Sequence, residues 1–379
     1  MIDVIVIGAG VAGLTCAQQL QQWGYNVLVV EKSRGLGGRL ATRRLAQTHA
    51  DHGVRCLEEQ GELTRSLIQT LEALGLLHVW TERIYALTPA GNLVPSEDDH
   101  PRYAARDGLT SVAKFLGQSL AICRHQRVTA ITPMPDRTWQ LSLNSNLSAS
   151  PALPPAKVVV VTIPAPQALA LLAPLATQEL PPDFIAALRS VMFAPCMTTI
   201  ATFATADTDN TNWLYPAIEC SEDAELAWIA IDSRKQRQPQ QTTVILQSTA
   251  AFAHTHLESS DLRSVGQQML GRAAEILSWQ AVPTDLQIHR WRYAFVTHPY
   301  SQPLLHTDAP LPLICGGDWC GGANLEAALQ SGMSCAAQAV HYLETSSPNA
   351  TSSAKESATI NTSQLFANML TTIDRSLTS

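Results

Sequence analysis

The chain has 379 residues and a formal charge of -7, long enough for two domains with separate cores and of the wrong sign for a nucleic-acid partner. Charged residues make up 15%, below the roughly 25% of an average soluble protein, which suits a large interior or a buried cofactor. Its eight cysteines are scattered and form no CxxC, so reduced buried thiols are expected in place of a disulfide frame or a metal site.

The first strand is read at Val4 to Ile7, an unbroken β-branched run of the kind buried on both faces of a parallel sheet. Gly8, Gly10 and Gly13 follow with GxGxxG spacing. In that motif the first glycine makes the tight turn, the second lets a pyrophosphate approach the backbone, and the third packs helix on strand. Val11 and Ala12 open a helix whose apolar positions Leu14, Ala17 and Leu20 recur at helical spacing, with Gly24 placed to stop it. A second strand, Asn26 to Val30, runs into Glu31, an acid 23 positions after Gly8 and about where the adenosine ribose hydroxyls need an acceptor.

Lys32, Arg34, Arg39, Arg43 and Arg44 then place five cations within thirteen residues that contain no acid. An even spread of the 25 basic residues would put about one there, so the cluster reads as compensation for an anion. Gly35, Gly37 and Gly38 keep the same stretch bare enough to meet phosphate. The pyrophosphate is thus expected between the N-terminus of the first helix and a guanidinium, foremost that of Arg39. For Arg43 and Arg44 a solvated loop explains the charge equally well.

Further along, residues 62–76 carry leucines at spacings of four and three, an amphipathic helix expected in the wall of a second domain. RVTAI and WQLSL read as two strands about a turn, and Lys157 to Ile163 as another buried parallel strand ended by Pro164. Prolines at 164, 166 and 174 break the longest apolar run, so no membrane span is expected. MTTIATF, AWIAID and TTVILQS suggest an antiparallel sheet, with helices at 183–190 and 261–278. HRWRYAFV alternates aromatics with Arg290 and Arg292 and is expected to return to the first domain. Gly316, Gly317 and Asp318 close a short strand before a long helix. A Ser/Thr-rich linker from 345 and an amphipathic pattern at Leu365, Met369, Ile373 and Leu377 end the chain. The first strand starts almost at Met1 with no secretory signal before it, so a cytoplasmic location is the expectation.

VIGAGVAGL with EKSRGLGGR resembles the opening of flavin-dependent amine oxidase-like proteins, and the second segment is similar to their renalase-like branch. Asp51 with Gly53, Tyr103 to Leu109, VTIPAPQALALL, HRWRYA and CGGDWCGGANLEAALQSG extend the resemblance over residues 1 to 343. It implies a Rossmann-type two-dinucleotide fold: an FAD domain at 1–60, 115–165 and 286–344, with an α+β substrate domain at 61–114 and 166–285. It also implies a non-covalent FAD that meets Gly53, Val54, the backbone of Val128, and Gly317 with Asp318, while the last helix, opened by Glu326, points its N-terminus at the flavin. Gly53 to Leu57 departs from the family's G-A-Q-Y-F. Arg55 therefore either brings a cation to the substrate or points to solvent, and Trp291 and Trp319 are the other pocket candidates, each with sheet or core packing as the competing account.

The function implied is hydride transfer from a small reduced substrate to flavin N5, with oxygen as acceptor. The renalase-like resemblance implies oxidation of dihydronicotinamide isomers. The alternatives are an amine oxidase or desaturase acting on a larger apolar molecule, and a flavin-bound protein that only docks a partner.

Overall fold

The computed structural model describes residues 1–144, 153–176, 179–204, 214–280, 282–345 and 366. Among these, two large sheets dominate. The first is parallel at its centre: Ala156–Val161, Ile2–Ile7, Val27–Val30 and Ala121–Cys123 pair side by side in that order, and Leu313–Cys315 adds in parallel to Ala156–Val161. The antiparallel pair Arg127–Pro133 and Trp139–Asn144 extends one side, with Val128 opposite Leu143. Val4, Ile5 and Val6 have no exposed surface, as a strand covered on both faces requires. The fold is α/β, a Rossmann-like unit joined to a mixed unit built on an antiparallel sheet.

One face of the parallel sheet is covered by the opening helix Val11–Gln22 and the final helix Leu325–Thr345. These two meet backbone to backbone: a Cβ on Gly332 would lie 2.5 Å from the Ala12 carbonyl oxygen. The other face is covered by Ala165–Leu172 and Pro182–Ser190, whose Leu172, Ile185 and Leu188 pack with Ile5, Val159 and Val161.

The second sheet runs Asp285–His298, Met192–Phe203, Thr242–Ser248, Leu226–Ile231, Ala217–Glu219, Tyr85–Leu87 and Leu93–Pro95. The helix Leu262–Leu277 covers its outer face through Val265, Met269 and Ala273. The face toward the first sheet carries a lateral row, one residue per strand: His289, Thr198, Gln247, Trp228 and Glu219 are successive cross-strand partners.

This arrangement corrects the sequence-based division in three places. The strand Asp285–His298 pairs with Met192–Phe203 and is the edge of the antiparallel sheet, not a return to the parallel one. The helix Glu62–Ala73 packs against the final helix and buries Leu63, Leu67, Ile68 and Leu71 in the first sheet's core. The segment 165–190 likewise belongs to the parallel sheet's cover. An amphipathic helix declares that it covers something; its periodicity does not say which sheet.

The tail pattern at residues 365–377 lies outside the described residues, apart from Phe366, which is buried with the first core. No helix among the described residues is long and apolar enough to cross a membrane.

Candidate cofactor site

The site begins at the turn after the first strand. Gly8 sits at φ +106°, which a side chain would strain, and Thr162 Oγ1 donates to the carbonyls of Ile7 and Gly8, fixing the turn to the neighbouring strand. A Cβ on Gly13 would lie 2.0 Å from Gly8 O, so only glycine lets the helix seat against the turn. Gly10 is the opposite case. A Cβ there would meet nothing within 4 Å, so its bare side faces open space. The opening helix has Gly10 as its N-cap, with no side-chain cap and no acid in its first turn. Its first N–H groups therefore point their partial positive charge into that space, the electrostatics an anion needs.

Two further segments close on the turn. Gly37 N–H donates to Ala9 O at 2.8 Å, and Gly38, at φ +59°, brings its backbone beside Gly10. Glu31 is 8% exposed and accepts from Ala9 N at 2.8 Å through Oε2 and from Ser33 N at 2.7 Å through Oε1. Its carboxylate lies beside the turn as the motif predicts, and it also serves the apoprotein by satisfying two amides. Lys32 reaches Gln167 at 3.2 Å, while Arg34 is exposed. Burial and the nearby Arg127 lower the Lys32 ammonium from its ordinary value.

The C-terminal half of the site arrives with Leu313–Cys315. Gly317 donates its N–H to Ser331 Oγ at 2.9 Å, and Asp318 then pairs with Arg39 Nη2 at 2.6 Å. Arg39 also donates to Ala294 O at 3.1 Å. The guanidinium assigned to the pyrophosphate is thus held by the carboxylate assigned to the ribityl chain, and the pair ties both halves of the motif to the edge strand.

Two assignments change. Trp319 is 1% exposed, donates its indole N–H to Ile163 O at 3.1 Å and packs in the core, so it is not a pocket wall. Glu326 turns away from its own helix and accepts from Leu63 N at 3.0 Å and Thr64 N at 2.7 Å, capping the neighbouring helix. Replacing Glu326 with alanine should therefore cost the apoprotein about 1 kcal/mol, as loss of a helix cap does. Thermal unfolding without cofactor measures it.

Between the two sheets runs the segment Asp51 to Arg55. On its first-sheet side, His52 N donates to Ala41 O at 3.0 Å and Val54 N to Arg39 O at 2.9 Å. A Cβ on Gly53 would lie 2.1 Å from Arg39 O, which explains the glycine. Trp291 is half-buried and its indole N–H donates to His52 O at 2.8 Å, with its ring 4.4 Å from that of His289. Burial, His289 and Arg43 push the His52 imidazole down to about 4, so it is neutral at neutral pH.

Arg55 does not point freely to solvent. Its Nε donates to Gln247 Oε1 at 2.8 Å, its guanidinium lies 4.5 Å above the Trp228 ring, and its carboxylate neighbour is Glu219 at 3.8 Å. Sequence reasoning missed the group beside it, Asp232 and Lys235. Lys235 is 4% exposed, contacts Asp232 Oδ1 at 2.5 Å and lies 3.7 Å from Asp51 Oδ2. Burial opposes its charge, but Asp232 and Asp51 outweigh burial and hold the ammonium above its ordinary value. All eight cysteines are free thiols; burial pushes Cys56 up to about 12, so no thiolate forms there at neutral pH. No group of three or more metal-ligating side chains occurs among the described residues.

Residues 6–71 match the model for an NAD(P)-binding Rossmann-like domain, and residues 78–340 match that for flavin containing amine oxidoreductase, more than half of the chain. The chain belongs to the flavin-containing amine oxidoreductase family. Two similar proteins, among others, are one named possible lysine-specific histone demethylase 1 from Drosophila melanogaster and the flavin-containing amine oxidase A of Sus scrofa. The first is 33% identical over 118 residues, 31% of this chain and 13% of that protein. The second is 50% identical over 44 residues, 12% of this chain and 8% of the relative. The matched stretches thus span about an eighth or less of the relatives' own length. The solved cyclohexylamine oxidase from Brevibacterium oxydans IH-35A has the same fold, with a TM-score of 0.64 and 14% identity over 90% of this chain and 99% of that one.

The residues at the turn fit one end of the FAD that the family carries. The uncapped helix N-terminus beside the open flank of Gly10 fits the diphosphate, and Glu31 beside it fits the ribose hydroxyls. No comparison singles out the renalase-like branch.

Proposed function

We propose that the chain is an FAD-dependent oxidase that takes hydride from the carbon beside nitrogen in a small amine-type substrate and passes the electrons to oxygen. The match of residues 78–340 to the amine oxidoreductase model carries this reading. Relatives named as amine and amino-acid oxidases support it over the dihydronicotinamide reading implied by EKSRGLGGR.

Bound FAD supplies the two-electron acceptor, so the chain needs no nucleophile of its own. Its residues bind, orient and exclude water. Val11, Ala12 and Gly13 would offer their amides to the diphosphate, Glu31 would accept from the ribose, and Gly53 with Val54 would border the flavin. His289 and Trp291, half-buried beside the segment, and Arg55 on it are the natural wall for substrate, with Gln247 and Trp228 buried beneath Arg55 as its support.

Anaerobic mixing tests the proposal. FAD-loaded protein is combined with primary amines, amino acids and dihydronicotinamide isomers while the visible flavin absorbance is followed. Bleaching by amines is the expected result. Bleaching by the dihydronicotinamides alone would move the chain to the renalase-like branch, and no bleaching by any class would leave the docking reading.

A further inference from the structure

Side chains of the second sheet and of its adjoining turn reach the backbone of the segment 51–55 at four of its five residues. Asp51 N donates to Asp232 Oδ2 at 3.0 Å, Trp291 Nε1 donates to His52 O at 2.8 Å, Gln247 Nε2 to Gly53 O at 2.7 Å, and Lys235 Nζ to Arg55 O at 2.6 Å. Four residues in a row of five are held this way. Away from that sheet the backbone of the segment is paired, Asp51 opposite Thr42, His52 N on Ala41 O and Val54 N on Arg39 O, but it joins no ladder of the second sheet, so no backbone pairing sets its height there.

Side chains do it instead, and at a cost. Lys235 and Asp232 are 4% and 2% exposed, and well-packed hydrophobic residues often replace a buried ion pair with no loss of stability. Gln247 is 2% exposed and spends both ends of its amide here, Oε1 on Arg55 and Nε2 on Gly53. An apolar interface would hold the two sheets together equally well but would leave the carbonyls of His52, Gly53 and Arg55 without these donors and the height of the segment above the second sheet unset.

From this geometry we infer that Gln247 and Lys235 are positioning residues: they fix the height and register of the Gly53–Val54 backbone against the cofactor. The inference rests on the reading that this backbone borders FAD. It also explains how the chain departs from the family at Val54 to Leu57 without losing the path of the segment, since the bonds to Gly53 O and Arg55 O depend on no side chain of the segment; only Gln247 Oε1 reads one, that of Arg55.

The test uses the full chain. FAD is titrated into apoprotein by fluorescence, and the two-electron midpoint potential of the bound flavin and the thermal midpoint of the apoprotein are measured in parallel. For Gln247→Leu the expected result is a tenfold or greater rise in the FAD dissociation constant. A comparable change in the ratio of affinities for oxidised and reduced flavin should move the potential by about 30 mV. Gln247→Glu keeps an acceptor for Arg55 but loses the donor to Gly53 O, so it should share the defect. Lys235→Met should resemble Gln247→Leu, and Lys235→Arg should restore most of the wild-type potential. Should Lys235→Met fail to fold, the two Gln247 variants decide. Gln247 variants with lowered thermal midpoints but wild-type affinity and potential would overturn the inference and leave a purely structural contact. A wild-type chain that takes up no FAD would overturn both the inference and the cofactor reading, so the two failures are distinct.

Discussion

Gly10→Val should yield a folded protein that no longer binds FAD, while Gly13→Val should not fold. Sequence position alone makes these two glycines look alike; their surroundings do not. Gly10 lies at φ -78° and ψ -179°, an extended conformation open to any residue, and its added Cβ would meet nothing within 4 Å. The apoprotein should therefore melt within about 1 kcal/mol of wild type, the cost of a poorer N-cap. The added methyls would instead occupy the approach to the helix N-terminus, and a loss of about 4 kcal/mol would raise the FAD dissociation constant about a thousandfold. At Gly13 the Cβ would lie 2.0 Å from Gly8 O, a backbone atom that cannot swing away. The opening helix would have to lift from the turn, and with it the contact of Gly332 on Ala12 O, so more than about 3 kcal/mol should be lost. Paired thermal melts and FAD titrations of the two variants give opposite patterns if this is right. Loss of binding and folding together in Gly10→Val would mean that the turn needs glycine for its own packing.

The turn after the first strand was legible because backbone geometry dictates its residues. A strand, a φ of +106° at Gly8 and a helix seated on a carbonyl admit few sequences, so the motif names its own positions. The same holds for Gly53, squeezed against Arg39 O. Charged side chains were less legible. Nothing local to Glu326 and Arg39 announces their partners, the amides of Leu63 and Thr64 and the carboxylate of Asp318, which come from residues hundreds of positions away. Nor does anything local to Lys235 announce that Asp51 will arrive beside it. Long-range pairing also decided where the strand Asp285–His298 went. Its alternation of aromatics and arginines was read correctly, and Arg290 and Arg292 do leave the aromatic face to meet Leu257 O and Glu258, yet the pattern fits an edge of either sheet.

Glu31→Ala is the second large effect, and it should appear before any cofactor is added. An acid that only contacts a ribose would leave the apoprotein unchanged when removed. Glu31 instead accepts from Ala9 N and Ser33 N, and the contact to Ala9 is buried. Each amide left without an acceptor costs roughly 1 to 3 kcal/mol, less where water can enter, so the apoprotein should lose about 2 to 4 kcal/mol. For a chain of 379 residues that corresponds to a fall in thermal midpoint of about 3 to 5 °C. FAD affinity should weaken by a further 1 to 3 kcal/mol or so, as expected when ribose hydroxyls lose a charged acceptor. Glu31→Gln separates the two effects. Its single amide oxygen can serve only one of the backbone donors, so its apoprotein should melt between wild type and Glu31→Ala. An unchanged melt in Glu31→Ala would show that water replaces the carboxylate at both amides, and would return Glu31 to the cofactor alone.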